Sequence, residues 1–186
     1  MGNGIVEALK KEFEIEDEWV SYEIHPETPK EGVRLEERFS VASLEQMQRR
    51  LRESGRAFEL SFGNLELLSN SRLALMASEY ARDQGVFHDF HRRIFDAYFR
   101  ACEDIGNMEV LLHIADQCGL MQNELQAALL DLRYMPRLEQ ALREGEQYGV
   151  TGTPTFIIND TYKVVGAQPF EVFRNALHKI SEGHVE

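Results

Sequence analysis

Cysteine, basic charge and long apolar runs are all scarce in this sequence. The 186 residues include two cysteines, Cys102 and Cys118, and no Cys-x-x-Cys anywhere. Two cysteines cannot staple a small scaffold together, so the chain must fold on a hydrophobic core. Only 20 Lys and Arg face 32 Asp and Glu, a formal net charge of −12, and the longest basic cluster is Gln48-Arg49-Arg50-Leu51-Arg52. That balance gives little attraction for a phosphate backbone, which excludes nucleic acid as an expected partner. No apolar run approaches the roughly 20 residues that span a bilayer, so no membrane partner is expected. Met1 leads into Gly-Asn-Gly and an amphipathic stretch rather than the apolar region of a secretory leader, which points to a cytoplasmic location. What is present is ordinary: 43% of residues are hydrophobic, a share typical of a globular protein. The length suits one domain, or one domain with a sizeable insertion.

Periodicity sketches the elements. Ile5, Val6, Leu9 and Phe13 share a helical face, so residues 4–14 read as a short helix. Val20, Tyr22 and Ile24 alternate with Ser21 and Glu23, which predicts a strand over Trp19–Ile24. His25-Pro26-Glu27-Thr28-Pro29-Lys30-Glu31-Gly32 is a rigid loop by composition. From Gly32 to about Gly149 the chain reads almost entirely as helices, interrupted by a less regular segment over 57–69. Leu44, Met47 and Leu51 mark one helix, and Leu73, Met76, Ala77, Tyr80 and Ala81 another, with Asn70 and Ser71 as its cap. Phe87, Phe90, His91, Ile94, Phe95, Tyr98 and Cys102 form a third stripe. Leu111, Ile114, Ala115 and Cys118 follow, then Leu125, Ala128, Leu129 and Leu132, then Leu138, Ala141, Leu142 and Tyr148. Each has one apolar face, so these helices should pack together. After Gly149 the pattern changes: Phe156–Ile158, the turn Asn159-Asp160, and Tyr162–Val165 predict a β-hairpin. Pro169 opens a last helix lined by Phe170, Phe173, Leu177 and Ile180.

The most specific local feature is Val150-Thr151-Gly152-Thr153-Pro154-Thr155-Phe156-Ile157-Ile158. A proline ahead of a strand cannot donate to a ladder, so Pro154 takes the first position or an edge. With a cis Thr153–Pro154 bond, Thr153 would present its N–H and C=O to an incoming peptide strand. A trans proline that simply starts the strand is the plainer alternative, since cis X-Pro bonds are about 5–6% of the total in folded proteins.

Gly149-Val150-Thr151-Gly152-Thr153-Pro154-Thr155-Phe156-Ile157-Ile158, the hairpin, Val165-Gly166-Ala167-Gln168-Pro169 and the closing helix together resemble the C-terminal half of a thioredoxin-fold protein. Ser69-Asn70-Ser71-Arg72-Leu73-Ala74-Leu75, Glu79-Tyr80-Ala81 and the Phe87–Phe99 helix resemble the DsbA family, and Glu23-Ile24-His25-Pro26 with Pro29 and Gly32 resembles its cytoplasmic FrnE-like branch. The resemblance runs over nearly the whole chain. It implies an α/β, thioredoxin-like fold of DsbA type with a large all-helical insertion. Residues 1–32 would form the N-terminal part of the thioredoxin-like domain, 33–148 the mainly helical insertion and 149–186 the C-terminal ββα part. It implies a cis Thr153–Pro154 bond, substrate binding at Gly152, Thr153 and Pro154, and thiols or disulfides of proteins or small molecules as partners. It implies no metal and no cofactor. The activity it implies is thiol–disulfide oxidation or isomerisation by a Cys-x-x-Cys at the first helix's N-terminus, where the helix dipole stabilises a thiolate.

This chain departs from that pattern. Gly2-Asn3-Gly4 resembles the segment just after the family's second cysteine, so the first strand and the redox pair are expected to be missing, and no exchange by the family mechanism is expected. A glutathione-dependent isomerase resembling 2-hydroxychromene-2-carboxylate isomerase, with serine for the first cysteine, is one alternative. A non-catalytic peptide-binding member is another. Cys102 and Cys118 fall on apolar stripes and read as buried small hydrophobes rather than a substitute pair. His88 and His91 are i, i+3, but no third ligand is identifiable, so packing is the expected role of His91. His25 reads as a loop residue, Glu12, Glu14, Glu16, Asp17 and Glu18 as solvated surface, and Trp19 as a packing anchor. The missing central strand would leave unpaired groups. The expectation is that Trp19–Ile24 shifts to pair antiparallel with Phe156–Ile158, or that a second copy of the chain covers the edge.

Overall fold

The computed structural model describes residues 2–56 and 58–181. Met1 and residues 182–186, which the expected regions 1–32 and 149–186 include, lie outside the described residues, as does Ala57. The chain divides into two compact units, Met1–Val20 with Glu144–Glu186, and Ser21–Arg143.

The first unit joins the two ends of the sequence. Helix α1 (Gly2–Leu9) buries Ile5, Val6 and Leu9, the apolar positions its periodicity marks. The expected helix over 4–14 is shorter at its C-terminal end and starts earlier. Phe13 lies beyond the helix, where its ring meets the edge of His178 at 5.0 Å. Strands β3 (Thr155–Ile158) and β4 (Tyr162–Val165) form the expected antiparallel hairpin, pairing Thr155 with Val165 and Ile158 with Tyr162. Asn159 and Asp160 both take positive φ, at 48° and 55°, in the tight turn. The last helix begins at Phe170 rather than Pro169 and runs to Ser181. Its Phe173 is fully buried and meets Phe156 edge-on at 4.7 Å.

The second unit holds β1 (Val33–Arg34), α2 (Leu35–Arg38), α3 (Val41–Arg56), β2 (Leu67–Leu68), α4 (Arg72–Asp83), α5 (Phe87–Phe95), α6 (Met108–Gln117), α7 (Gln122–Leu130) and most of α8 (Met135–Gln147). Its core is one continuous cluster in which Met76, Ala77, Tyr80 and Ala81 of α4 join Phe90, Ile94, Leu111, Ile114, Leu125, Leu129 and Leu138. The apolar stripes of α4, α5, α6 and α7, with Leu138 of α8, therefore pack together as their periods require, whereas the expected stripe of α3, Leu44, Met47 and Leu51, stays half-buried outside that cluster. Two details differ from the periodicity. The 57–69 segment ends in β2, which pairs antiparallel with β1. The helix expected to run unbroken from Phe87 to Cys102 widens after α5 into a π-helical turn, Asp96–Arg100, closed by Ala101 N–H donating to Asp96 C=O at 3.0 Å. Cys102 then sits past the helix with φ 59°.

The strand expected over Trp19–Ile24 is not formed: these residues belong to no ladder among the described residues, and they make no antiparallel pair with Phe156–Ile158. The physical reason lies in which face turns inward. Ser21 and Glu23 are buried, at 8% and 2% exposure, while Val20 is 56% exposed. The Ser21 hydroxyl donates to Glu79 at 2.6 Å, and Arg72 donates to both Glu23 oxygens at 3.0 and 3.1 Å. Polar pairing with α4, not an apolar face, holds this stretch.

Candidate functional site

The site is built on the corner ahead of β3. Helix α8 ends in a Schellman closure: Gly149 at φ 60° donates to Glu146 C=O, and Val150 donates to Gly145 C=O at 2.8 Å. That positive φ turns the chain toward Gly152-Thr153-Pro154. The Thr153–Pro154 peptide bond is cis. On the strand side the corner is pinned by Gly166 N–H, which donates to Pro154 C=O at 2.7 Å. The Thr155 hydroxyl donates back to Gly152 C=O at 2.6 Å. Lys163 Nζ donates to the carbonyls of Tyr148 and Gly149 at 2.9 and 3.0 Å, and Tyr148 O–H donates to Asp160 at 3.2 Å. An ammonium at a helix C-terminus is where the macrodipole favours it.

Between these ties Thr153 is exposed, and among the described residues neither its N–H nor its C=O has a hydrogen-bond partner. Gly152 and Pro154 beside it are half-buried. The first residue of α1 reaches the same corner. A methyl on Gly2 would stand 3.3 Å from Pro154 Cβ and 3.6 Å from Phe156 Cζ. The start of a helix, with its unsatisfied N–H groups, thus lies against the proline of the exposed turn. All of these residues belong to the unit formed by the chain ends.

The other candidate residues lie elsewhere. Cys102 and Cys118 are both free thiols, half-buried, with their pKa values raised. For Cys118 burial, with the Asp89 carboxylate 3.4 Å away, pushes the thiol up to about 11. For Cys102 burial acts first and the charge of Glu66 second. Neither environment makes a thiolate at neutral pH. His91 stacks on Phe87 at 5.3 Å and meets Phe95 at 4.5 Å, a packed position in an aromatic stripe. Burial, with repulsion from His88 and Arg82, pulls its pKa down to about 4. His25 is exposed beside Glu27. Within the acidic run, Glu12 pairs with Arg174 at 3.2 Å, and Asp17 takes Lys10 and the Trp19 indole.

Sequence reasoning named Gly152, Thr153 and Pro154, which are adjacent in any fold. It missed Lys163, Thr155 and Gly2 as neighbours of that corner. A lysine inside a strand carries no signal that it will cap a helix 14 residues earlier. The one clue was the glycine at the start of α1, which permits close approach.

Comparison with known proteins agrees with this architecture. A family model described as a DSBA-like thioredoxin domain matches residues 2–178. The uncharacterized protein YwbO of Bacillus subtilis (strain 168) is 26% identical over 182 residues, covering 95% of this chain and 88% of that protein. The crystal structure of a probable DsbA oxidoreductase, SCO1869 of Streptomyces coelicolor, superposes with a TM-score of 0.77 at 22% identity, covering 88% of this chain and 74% of the other. The fold is the DsbA-like thioredoxin fold with a helical insertion. The chain belongs to the DSBA-like thioredoxin domain family.

Proposed function

We propose that the Gly152-Thr153-Pro154 corner receives an extended thiol- or disulfide-bearing chain through the main chain of Thr153, and that these 186 residues do not themselves exchange disulfides. The DSBA-like family suggests thiol–disulfide oxidoreductase chemistry, which supports thiols and disulfides as the substrate class. The observation that supports the binding half is the exposed, unpartnered N–H and C=O of Thr153 beside the first turn of α1. Such a pair of groups gains by hydrogen-bonding an incoming backbone without first losing an internal bond. The observation that supports inactivity is chemical. Exchange needs a thiolate to attack a disulfide and a second thiol to resolve the mixed disulfide. No Cys-x-x-Cys exists in the sequence, and neither Cys102 nor Cys118 is a ready thiolate. An insulin-reduction assay tests the second half: no rate above dithiothreitol alone is expected, and clear turnover would show that one of the two thiols is active. Titrating the labelled chain with a disulfide-bearing peptide tests the first half. Amide shifts centred on Gly152, Thr153 and Thr155 are expected, and an unchanged spectrum would refute the binding role.

A further inference from the structure

Strand β4 carries the loop that leads to the exposed corner on one of its faces. Alternate residues of a strand share a face, so Lys163 and Val165 stand together. Two glycines of the loop lie over these side chains. A methyl on Gly149 would stand 3.3 Å from Lys163 Nζ, and one on Gly152 would stand 3.9 Å from Val165 Cγ1. Gly166, the next residue after β4, then holds Pro154 C=O. Residues 149–154 therefore run along β4 from Lys163 to Gly166.

Between its ends this run has few bonds of its own. The Schellman closure stops at Val150, and the Thr155 hydroxyl takes up Gly152 C=O. Among the described residues no hydrogen bond reaches the main chain of Thr151, the N–H of Gly152 or the main chain of Thr153. The place of Thr153 is thus set by the two points where the run is tied. One is Pro154 C=O, on Gly166. The other is the end of α8, where Lys163 Nζ donates to both Tyr148 C=O and Gly149 C=O, and where the Tyr148 hydroxyl adds its bond to Asp160 in the hairpin turn. Lys163 is exposed, so replacing it opens no cavity in the core. A methionine there would span the same gap without a donor.

We propose that Lys163 is a positioning residue for the Thr153 corner: from β4 it fixes the end of α8, so that the main chain of Thr153 is set in advance for an incoming chain that Lys163 itself does not touch. Fixing a binding segment beforehand raises affinity by removing entropy otherwise lost on docking. This rests on the binding role given above to Thr153. The full chain, labelled with nitrogen-15, would be titrated with the disulfide-linked dimer of capped Ala-Cys-Ala, and backbone order parameters of the free chain would be measured alongside. Lys163→Met should weaken binding about fivefold and lower the order parameters of Thr151, Gly152 and Thr153 from about 0.8 to below about 0.6. Lys163→Arg, which keeps a cation with several donors, should bind within about twofold of the unaltered chain. Arg174→Met, which removes ion pairs to Glu12 and Glu171 elsewhere in the same unit, should leave both readouts unchanged. Binding that Lys163→Met leaves as it was, or that Arg174→Met weakens equally, would overturn the part given to Lys163 while the binding role stands. An unaltered chain that does not bind the peptide would overturn the binding role and the positioning role with it. Should Lys163→Met not fold, Lys163→Gln, with an amide for the ammonium, supplies the same comparison.

Discussion

Arg72 and Glu23 form an ion pair whose two halves differ in burial, and that difference predicts unequal mutants. Glu23 is 2% exposed, whereas the Arg72 side chain is more than a third exposed and also donates to Pro26 C=O. Arg72→Ala strands a buried carboxylate, so a loss of about 3–5 kcal/mol is expected. Glu23→Ala leaves an arginine that can turn to water, and about 1–2 kcal/mol is expected. Urea unfolding of both variants measures the ordering; equal losses would contradict it. His91 supplies a pH dependence. Its folded pKa of about 4 lies below the ordinary 6.5, so between those values the unfolded chain binds more protons. Stability from this residue is complete above pH 6.5 and is lost as pH falls toward 4, by up to about 3 kcal/mol. A His91→Phe variant should show a flatter stability profile across that window, while Asp83, Asp89 and Asp96, whose pKa values are held low by arginines, act only at lower pH.

At the scale of elements, two glycines should respond differently to alanine. Gly63 has no room: a methyl there would lie 2.5 Å from Cys102 Sγ and 2.6 Å from Arg100 C=O, against the end of the π-helical turn. Gly63→Ala should cost about 1–3 kcal/mol or more through overpacking. Gly85, at φ 76° with open space around it, should cost about 1 kcal/mol through backbone conformation alone. Thermal unfolding of both variants checks the contrast. The helices from α4 to α7 were legible in the sequence because each has a single apolar stripe and these stripes cover one another, while the stripe of α3 foretold its helix but not its place outside that core. The hairpin was legible because Asn159-Asp160 tolerates positive φ between two runs of β-formers. Trp19–Ile24 misled because alternation says that two faces differ, not which one turns inward. There the inward face was chosen by Arg72 and Glu79, some 50 residues away in sequence. The π-helical turn was equally hidden, since Phe95 and Phe99 keep a spacing that both helix types allow.

For the molecule as a whole, the decisive chemical prediction concerns its thiols. With Cys118 raised to about 11 and Cys102 raised as well, Ellman's reagent at pH 7 should label the folded chain far more slowly than free glutathione. Cys102→Ser with Cys118→Ser should leave the insulin assay unchanged. Rapid labelling would revise the thiols' environment. The site itself was half legible. Gly152, Thr153 and Pro154 could be named because they are contiguous, whereas Gly2 and Lys163 join them only through folding. The inward polar pair of the 21–28 stretch has one more effect. Sliding that stretch by a single position would bring Tyr22 against Glu79 and Ile24 against Arg72, swapping two matched contacts for two mismatches. A purely oily contact would tolerate sliding more easily, so Ser21 and Glu23 work as the teeth of a ratchet that fixes one alignment of this stretch on α4.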